Sequence, residues 1–445
     1  MRDAVPTSRP PLRFGAGLGR HFVTLDPLMP SDWWAFAFGF LLVGSTLVAT
    51  NLNGTDGLLG FFGTVALMVA LFPSVTVQGV ARNWPMLVYP AWTILSVAWS
   101  TVPERTAHAM LLVVPTVLAA VTLGGIPKRR EVNLGAAAAL LAFIVAAVLK
   151  GGHVSFSDTG SGGDAMTGFG VGKNYFGQIA GMSAILSFGF LSFTNTRFGR
   201  LLVLVGAADL AISLFALFGS HATGALLSFF IACAVIGVVT TFTRVPWQIR
   251  VLSLAALLGM LIIYATFGDT LQEQLYNTVL QKFNKDSSLT GRTLLWDYAD
   301  RLMYDHRMLG YGYNAFWYWT NPDAWTIWRM MGVAPMSGFN FHNTPREIMI
   351  ETGLVGFIIY LAAFGPMLVR GFFINLLRGD LASGVRLGFV CYFVVRMPVE
   401  STGFSGGTAE AILLMAFLCV PVKEDAAAAA TAPPAPGRAT RLVPA

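Results

Sequence analysis

The sequence has few charged residues for its length. Asp, Glu, Lys and Arg make up 12% of the 445 residues, about half the share found in a soluble domain. The mean hydropathy of +0.63 agrees with this deficit, so most of the chain is predicted to lie in lipid. The net charge is +6, but the basic residues are scattered over short loops and form no stripe. This distribution argues against nucleic acid as a partner.

Cysteine is also rare, and motifs that hold a metal ion or a nucleotide are missing. Cys233, Cys391 and Cys419 all fall inside apolar runs. They are predicted to be small packing residues, since neither a disulfide framework nor a metal site has this pattern. The sequence has no Asp-x-Asp motif, no zinc-ligand spacing and no Gly-x-Ser-x-Gly elbow. It therefore indicates neither a sugar-nucleotide donor nor a bound metal.

Apolar runs dominate what is present, and about 20 apolar residues suffice to cross the hydrocarbon core. The candidate spans, about 12 in number, cover residues 33–51, 57–72, 85–100, 106–124, 133–149, 174–194, 200–219, 222–242, 248–267, 353–376, 382–398 and 408–422. The chain is therefore predicted to be an all-α polytopic membrane protein. Its predicted parts are an N-terminal segment (1–32), transmembrane helices 1–9 (33–267), a large loop (268–352), transmembrane helices 10–12 (353–422) and a disordered tail (423–445).

Lysine and arginine are unevenly divided between the two sides of this arrangement. When the spans alternate from a cytoplasmic N-terminus, the short loops on the opposite side hold only Arg105, Lys150, Lys173 and Arg396. Cytoplasmic loops carry the excess of Lys and Arg in membrane proteins. Both termini are therefore predicted to be cytoplasmic, in a multi-pass protein of the bacterial inner membrane. The loop 268–352 would then face the periplasm.

This predicted periplasmic loop is rich in aromatic residues. A loop of its length inside a compact protein is usually either functional or disordered, and the aromatic side chains argue against disorder. A belt at the lipid surface accounts for some of the rings. The others can pack together or bind the apolar faces of sugar rings. The densest cluster comprises Tyr311, Tyr313, Phe316, Trp317, Tyr318 and Trp319.

The end of the loop combines a helix start with a histidine. Thr344 and Glu347 have the spacing of a capping box, and Pro345 stands at the favoured first helical position. His342 is then just ahead of a helix N-terminus, where unpaired N–H groups favour an anion. A histidine beside an anion site suits proton abstraction next to a phosphate. The alternative is that His342 only caps the helix or packs locally.

A second segment of the loop carries an arginine at an unusual helix position. Thr290 is predicted to cap a helix with Arg292 in its first turn, where the helix dipole disfavours a cation. Since a guanidinium binds diphosphate through parallel hydrogen bonds, this placement indicates a phosphate contact. The alternative is a solvated surface arginine. Further along, Gly310–Tyr313 is predicted to form a tight turn that positions aromatic side chains.

A glycine-rich run ahead of the sixth predicted span, Gly168–Asn174, superficially resembles a phosphate-binding P-loop. The pattern fails, because Asn174 replaces the required Ser or Thr and the first glycine is misplaced. Lys173 remains a candidate anion contact at the membrane surface. The alternative is a structural role for this lysine.

Taken in chain order, these motifs resemble the O-antigen ligase and Wzy-type polymerase superfamily. The segment into Asn314–Trp317 is most similar to the exopolysaccharide polymerase branch, the ExoQ-like proteins. The most specific feature joins the Thr-Gly-Arg segment to a His-Asn pair that is followed, after nine residues, by a glycine. The motifs that carry the resemblance are Ile94–Glu104, Lys173, Thr290–Trp296, the Gly-Tyr-Gly turn, His342-Asn343 and Gly353.

The resemblance implies an integral-membrane glycosyltransferase with a GT-C-like helical bundle. Its members take a glycan from undecaprenyl diphosphate at the periplasmic face and transfer it to a lipid-linked glycan or to the lipid A core. By this resemblance His342 would be the general base, and Arg292 and Lys173 would hold the donor diphosphate. The other expected substrate-binding residues are Asn343, Trp296, Tyr311, Tyr313 and Trp317. Membrane lipids and other polysaccharide-assembly proteins are candidate partners, and neither a cofactor nor a metal is expected.

Polymerisation of exopolysaccharide or O-antigen repeats is the favoured function, and ligation to the lipid A core is the alternative within the same chemistry. Leu354 departs from the Thr or Val often found in ligases, which weakens the ligase reading. A flippase or transporter of lipid-linked sugars is the alternative from another class. Its main support is two acids inside the spans, Asp209 and Glu410, each of which would cost about 3 kcal/mol at a helix centre. A purely structural membrane scaffold is the least favoured reading.

Overall fold

The computed structural model describes residues 31–155, 164–170, 172–193, 199–249, 251–252, 291–403 and 405–421. Within these residues the chain is helical, apart from one antiparallel pair of strands, β1 (Gly152–Ser155) and β2 (Asp164–Gly168). The helices are α1 (Asp32–Asn51), α2 (Gly54–Leu71), α3 (Pro73–Arg82), α4 (Pro85–Leu95), α5 (Pro103–Gly125), α6 (Arg129–Lys150), α7 (Lys173–Ser187), α8 (Gly199–Gly219), α9 (Thr223–Phe242), α10 (Arg292–Asp305), α11 (Pro322–Met330), α12 (Thr344–Arg378), α13 (Leu381–Arg396) and α14 (Ala409–Leu418). Short 3₁₀ helices cover Ser96–Ala98 and Phe188–Phe193.

Eight helices of the described chain are long and apolar enough to cross a membrane. They are α1, α2, α5, α6, α7 with its 3₁₀ extension, α8, α9 and α12, while α4 and α14 are apolar but shorter. Each coincides with a run predicted from the sequence, so the prediction of an all-α, multi-pass membrane protein is confirmed. The count of twelve spans stays a prediction. Residues 253–267 of the predicted ninth span lie outside the described residues.

The segment between residues 291 and 343 has an apolar core of its own, separate from the core of the helix bundle. Leu295 of α10 and Trp328 of α11 are buried there, together with Phe316 and Phe341. The Phe316 ring lies 5.1 Å from that of Phe341 and 4.8 Å from that of Trp317, within the range of favourable aromatic pairs. These aromatic residues therefore pack together, which is one of the two alternatives that the sequence left open.

Helix α12 is interrupted at Gly353, which has φ 69° and ψ −176°. The interruption leaves backbone groups without partners inside the helix. The segment 307–312 provides hydrogen-bond partners for them. The N–H of Leu354 donates to the Arg307 carbonyl at 2.9 Å, and the N–H of Tyr311 donates to the Ile350 carbonyl at 2.9 Å. Non-helical backbone near a membrane needs such partners, because it finds no water there. The segment 291–343 is thereby fastened to the bundle.

The two helix starts near the site differ by one residue from the predictions. Helix α12 is capped by Asn343, whose side chain accepts from the Arg346 N–H at 2.9 Å, so the predicted capping box with Thr344 as the cap is wrong. Asparagine is the stronger N-cap, and the Thr344 hydroxyl instead donates to the Glu400 carbonyl at 2.9 Å. At α10 the cap position is held by Gly291 (φ 83°), and Thr290 lies outside the described residues.

Candidate active site

Glu400, in the loop between α13 and α14, joins the histidine and the arginine that the sequence singled out. Its Oε2 lies 2.9 Å from His342 Nδ1, and its Oε1 lies 2.8 Å from Arg292 Nη2. Arg292 Nη1 also donates to the Val399 carbonyl at 2.6 Å. The side chains of Glu400, Arg292 and His342 are 13%, 16% and 25% exposed. This His342–Glu400–Arg292 cluster is thus largely shielded, with the histidine most open.

The start of α12 holds the loop 397–402 in place. The Thr344 N–H donates to the Met397 carbonyl at 2.8 Å, and Asn343 Nδ2 donates to the Pro398 carbonyl at 2.7 Å. Asn343, predicted to bind substrate, therefore caps a helix and anchors this loop. Because the helix start and the loop are bonded at several points, Glu400 has little freedom to leave His342.

The backbone and side chain of His342 are both fixed. Its φ of 49° is unusual for a residue with a Cβ, and such strain is concentrated at functional sites. Its N–H donates to Asn340 Oδ1 at 2.8 Å, and its ring meets that of Phe339 edge-on at 5.7 Å. A carboxylate at Nδ1 favours the tautomer with the proton on Nδ1. The lone pair of the neutral ring is then on Nε2, which is left for a substrate proton.

The charge of Glu400 is stabilised by its partners. Burial raises the pKa of the Glu400 carboxyl, but the hydrogen bond with His342 and the positive charge of Arg292 outweigh it, and the pKa falls to about 2. Glu400 is therefore an anion under all ordinary conditions. An anion at this position stabilises a positive charge on His342, as a general base requires once it has accepted a proton.

The turn that carries Lys173 also reaches the cluster. The hairpin β1–β2 leads into α7, which begins at Lys173 directly after Gly172 (φ 102°). The neighbouring Asn174 donates from Nδ2 to Glu400 Oε1 at 3.2 Å. Asn174, which breaks the P-loop pattern, therefore links this turn to the histidine and the arginine.

Two of the predicted substrate-binding residues have contacts that stabilise the loop. Trp296 donates from Nε1 to the Phe341 carbonyl at 2.8 Å, directly before His342. Tyr311 is 4% exposed and its hydroxyl donates to Asp323 Oδ2 at 3.0 Å. Trp296 is thus one residue removed from the cluster, whereas Tyr311 packs in the core of the loop.

Tyr313 and Trp317 line a cavity of about 300 Å³ next to the cluster. Trp317 donates from Nε1 to Glu347 Oε1 at 2.7 Å. Tyr313 is bonded through its N–H to Ser96 Oγ at 3.0 Å. These two aromatic residues are therefore held at a surface that a ligand can fill.

Glu400 was not singled out by sequence reasoning. Its signal is weak, because one acid in a short loop between two spans is an ordinary solvated residue. Two features nevertheless set the loop apart. By alternation of the spans it lies on the same side as the loop 268–352, and it follows Arg396 and Pro398 in an unusually polar stretch.

Glu400→Gln is expected to lower the stability of the folded protein above pH 4.5 by on the order of 2 kcal/mol, because the three hydrogen bonds that the carboxylate accepts from His342, Arg292 and Asn174 are weakened. A carboxyl whose pKa drops from 4.5 to about 2 on folding contributes stability that is complete above the ordinary value and is lost as pH falls through the folded value. The gap between wild type and variant should therefore close between pH 4.5 and about 2. Thermal unfolding in detergent across this range measures the gap.

The control is Glu104→Gln, which removes an exposed carboxylate at the start of α5. If the difference in stability between the wild type and Glu400→Gln is the same at both ends of the pH range, the Glu400 charge is not stabilised as described.

Two comparisons with known proteins bear on this site. Residues 208–361 match the family model described as O-antigen ligase, Wzy_C. The chain is also 24% identical over 358 residues to the exopolysaccharide production protein ExoQ of Rhizobium meliloti (strain 1021), covering 78% of this chain and 79% of that protein. Both matches support a membrane enzyme that processes glycans in polysaccharide biosynthesis. They confirm the resemblance to the O-antigen ligase and Wzy-type polymerase superfamily that the sequence motifs indicated.

Proposed function

We propose that the protein is a metal-independent glycosyltransferase that moves a glycan from undecaprenyl diphosphate to an acceptor glycan. The observation that carries the proposal is the His342–Glu400–Arg292 cluster. In this cluster an imidazole whose orientation is fixed lies beside a guanidinium, and these two groups suit transfer from a diphosphate donor. Polymerisation of repeat units is favoured, in line with the similarity to an exopolysaccharide production protein. Ligation to the lipid A core is the second candidate, because the matching family is described as O-antigen ligase.

In the proposed reaction, His342 Nε2 takes the proton of an acceptor hydroxyl. The hydroxyl oxygen forms a bond to the anomeric carbon of the donor sugar, while the bond from that carbon to the diphosphate oxygen breaks. The electron pair leaves with undecaprenyl diphosphate, and Glu400 stabilises the imidazolium that results. General-base help of this kind is worth about 10²–10⁴ in rate. Since diphosphate is a good leaving group, the remaining requirement is neutralisation of its charge.

Arg292 and Lys173 supply that neutralisation. A guanidinium has five N–H donors, and the contacts to Glu400 and Val399 use one on each terminal nitrogen. The other donors can bind phosphate oxygens without breaking the cluster. Lys173 adds a point charge from the adjacent turn.

Arg292→Lys is expected to be impaired in glycan transfer by about tenfold or more, because one ammonium cannot bond Glu400, the Val399 carbonyl and a phosphate together. The measurement is transfer between lipid-linked glycans by the purified protein in detergent without any ion gradient. Arg301→Lys, at an exposed position of α10, is the matched control. Full activity of Arg292→Lys would reduce Arg292 to a structural residue. Activity without a gradient also separates this proposal from a transporter.

We further propose the topology that the charge distribution predicts, with both termini in the cytoplasm of an inner-membrane protein and the cluster in the periplasm. A cysteine introduced as Tyr304→Cys, where the native side chain is 78% exposed, should react with a membrane-impermeant thiol reagent in cells with a permeabilised outer membrane. Trp247→Cys, at a position 67% exposed beyond α9, should react only after the inner membrane is opened. The reverse pattern would invert the topology and place the cluster on the cytoplasmic side.

A further inference from the structure

The cavity of about 300 Å³ beside the cluster has a chemistry of its own. Its volume is at the lower end of the range of about 300–1,000 Å³ typical of small-molecule sites. Helix α5, the two residues after the Gly-Tyr-Gly turn, the start of α12 and the loop before α14 all contribute to its wall. The residues that carry the argument are Arg105, Tyr313, Trp317, Glu347, Glu351 and Ser401.

The cavity adjoins the proposed base directly. The Phe339 ring, which lines the cavity, contacts the His342 ring edge-on at 5.7 Å. Ser401 follows Glu400 in the chain, and its hydroxyl donates to Glu347 Oε2 at 3.1 Å. The Phe339 edge of the cavity is therefore where a bound sugar can present a hydroxyl to His342.

The charges of the cavity differ from those of the cluster. Glu347 and Glu351 line it beside one guanidinium, that of Arg105. Burial and mutual repulsion disfavour a full negative charge on both acids at once, but one shared charge suffices to offset the guanidinium, so the wall has no surplus of positive charge for a diphosphate. The buried Nε of Arg105 has no hydrogen-bond partner among the described residues, and a buried donor of this kind calls for a ligand acceptor. Arg292 and Lys173, which suit phosphate, are not part of this wall.

The lining is suited to a sugar ring. A carboxyl group accepts hydrogen bonds from hydroxyl groups whether or not it is ionised, and it also donates one when it is protonated. Aromatic rings such as Tyr313 and Trp317 offer faces to the apolar side of a pyranose. The backbone is also strained around this space. Asn314 (φ 56°) and Met336 (φ 59°) line the cavity, and His342 (φ 49°) lies beside it. Strained residues are found where a binding geometry has to be held.

We propose that this cavity binds the terminal sugar of the acceptor glycan as an uncharged ring, with Glu351 accepting from its hydroxyls and Arg105 Nε donating to one of its oxygens. The inference rests on the proposed function, since it assigns the acceptor side of the same transfer. The difference in charge between the cluster and the cavity then assigns each substrate to its own site. The diphosphate of the donor binds at Arg292 and Lys173. The neutral acceptor sugar binds in the cavity, on the other side of His342.

The test measures two affinities on the purified full-length protein in detergent. The probes are undecaprenyl diphosphate and the lipid-free oligosaccharide that mild acid releases from the host's lipid-linked glycans. Glu351→Gln and Arg105→Gln are each expected to weaken oligosaccharide binding about tenfold, the effect of losing a hydrogen bond to a charged group. Both should bind undecaprenyl diphosphate like the wild type. The matched controls are Glu104→Gln and Arg301→Gln, at exposed positions outside the cavity.

The outcomes separate this inference from the proposed function. Wild-type oligosaccharide binding in both cavity variants, together with loss of diphosphate binding in Arg292→Lys, would overturn the acceptor cavity and leave the glycosyltransferase in place. A wild-type protein that binds the oligosaccharide through Glu351 but does not bind undecaprenyl diphosphate would keep the sugar site and overturn the donor assignment. If one cavity variant does not fold, the other still decides.

Discussion

His342→Ala is expected to slow glycan transfer by a factor of about 10²–10⁴, enough to abolish glycan assembly in cells. The protein should still accumulate in the membrane. The imidazole is the proposed base of the cluster, and the contact of Glu400 with Nδ1 leaves Nε2 to face the acceptor hydroxyl. Since the side chain is 25% exposed, its removal leaves no large hole in the core. A chemical defect without a folding defect is therefore predicted.

The measurement is complementation of a polysaccharide-negative deletion strain, with polymer length and lipid-linked precursors analysed together. Single lipid-linked repeats that accumulate in the variant would identify a polymerase with His342 as its base. Polymer that accumulates on undecaprenyl diphosphate without reaching lipid A would identify a ligase. The control is His153→Ala, an exposed histidine on β1. Normal polymer from His342→Ala would remove this residue from the mechanism.

Gly353→Ala is expected to prevent accumulation of folded protein, because the added Cβ has no room. It would lie 2.2 Å from the Met308 carbonyl oxygen and 2.4 Å from the Leu309 nitrogen, both backbone atoms. The residue also has φ 69° with ψ −176°, a conformation that costs an L-residue about 1–3 kcal/mol even without a clash. Relief of the clash requires the 307–312 segment to move away from the interrupted helix.

Such a movement would break the hydrogen bonds that fasten the segment 291–343 to the bundle. Besides the two described above, the Gly312 N–H donates to the Glu351 carbonyl at 2.8 Å and the Val355 N–H to the Met308 carbonyl at 3.2 Å. At about 1 kcal/mol each, their loss adds to the strain and amounts to several kcal/mol, a large part of a typical folding stability.

Membrane level and detergent size-exclusion profile of a fluorescent fusion measure this effect. Gly365→Ala is the matched control, since it lies in the same helix with open space around its Cβ position and should behave like the wild type or slightly better. A Gly353→Ala protein with wild-type level and elution would show that the interruption of α12 is not required for folding.

The sequence was sufficient for the membrane-spanning helices, because hydropathy and the length of a span are local properties of the chain. Ser31, Asn53, Asp380 and Thr408 cap described helices through their own side chains, which is the local signal that places a helix start. The same reasoning placed the N-cap of α12 one residue too late, at Thr344 where the structure has Asn343. Both Asn343 and Thr344 are good caps, and a contact from Thr344 to the distant Glu400 backbone decided between them.

The candidate site was only partly accessible to sequence reasoning. Family motifs pointed to His342 and Arg292, and helix dipole arguments supported both. Nothing local pointed to their shared partner, because Glu400 is 58 residues from His342 and 108 from Arg292. The acidic cavity was missed for the same reason, since Arg105 and Glu351 come from helices far apart in the chain.

The sequence by itself thus determined the membrane class, the apolar helices and the family resemblance, which depend on composition and on short motifs. Only the tertiary structure decided how α12 is interrupted, since a lone Gly353 permits a break without causing one. The break forms because the 307–312 segment supplies partners for the backbone groups that a helix would otherwise satisfy itself. The same packing brings the loop of Glu400 against the start of α12, and so it makes separate residues into one site.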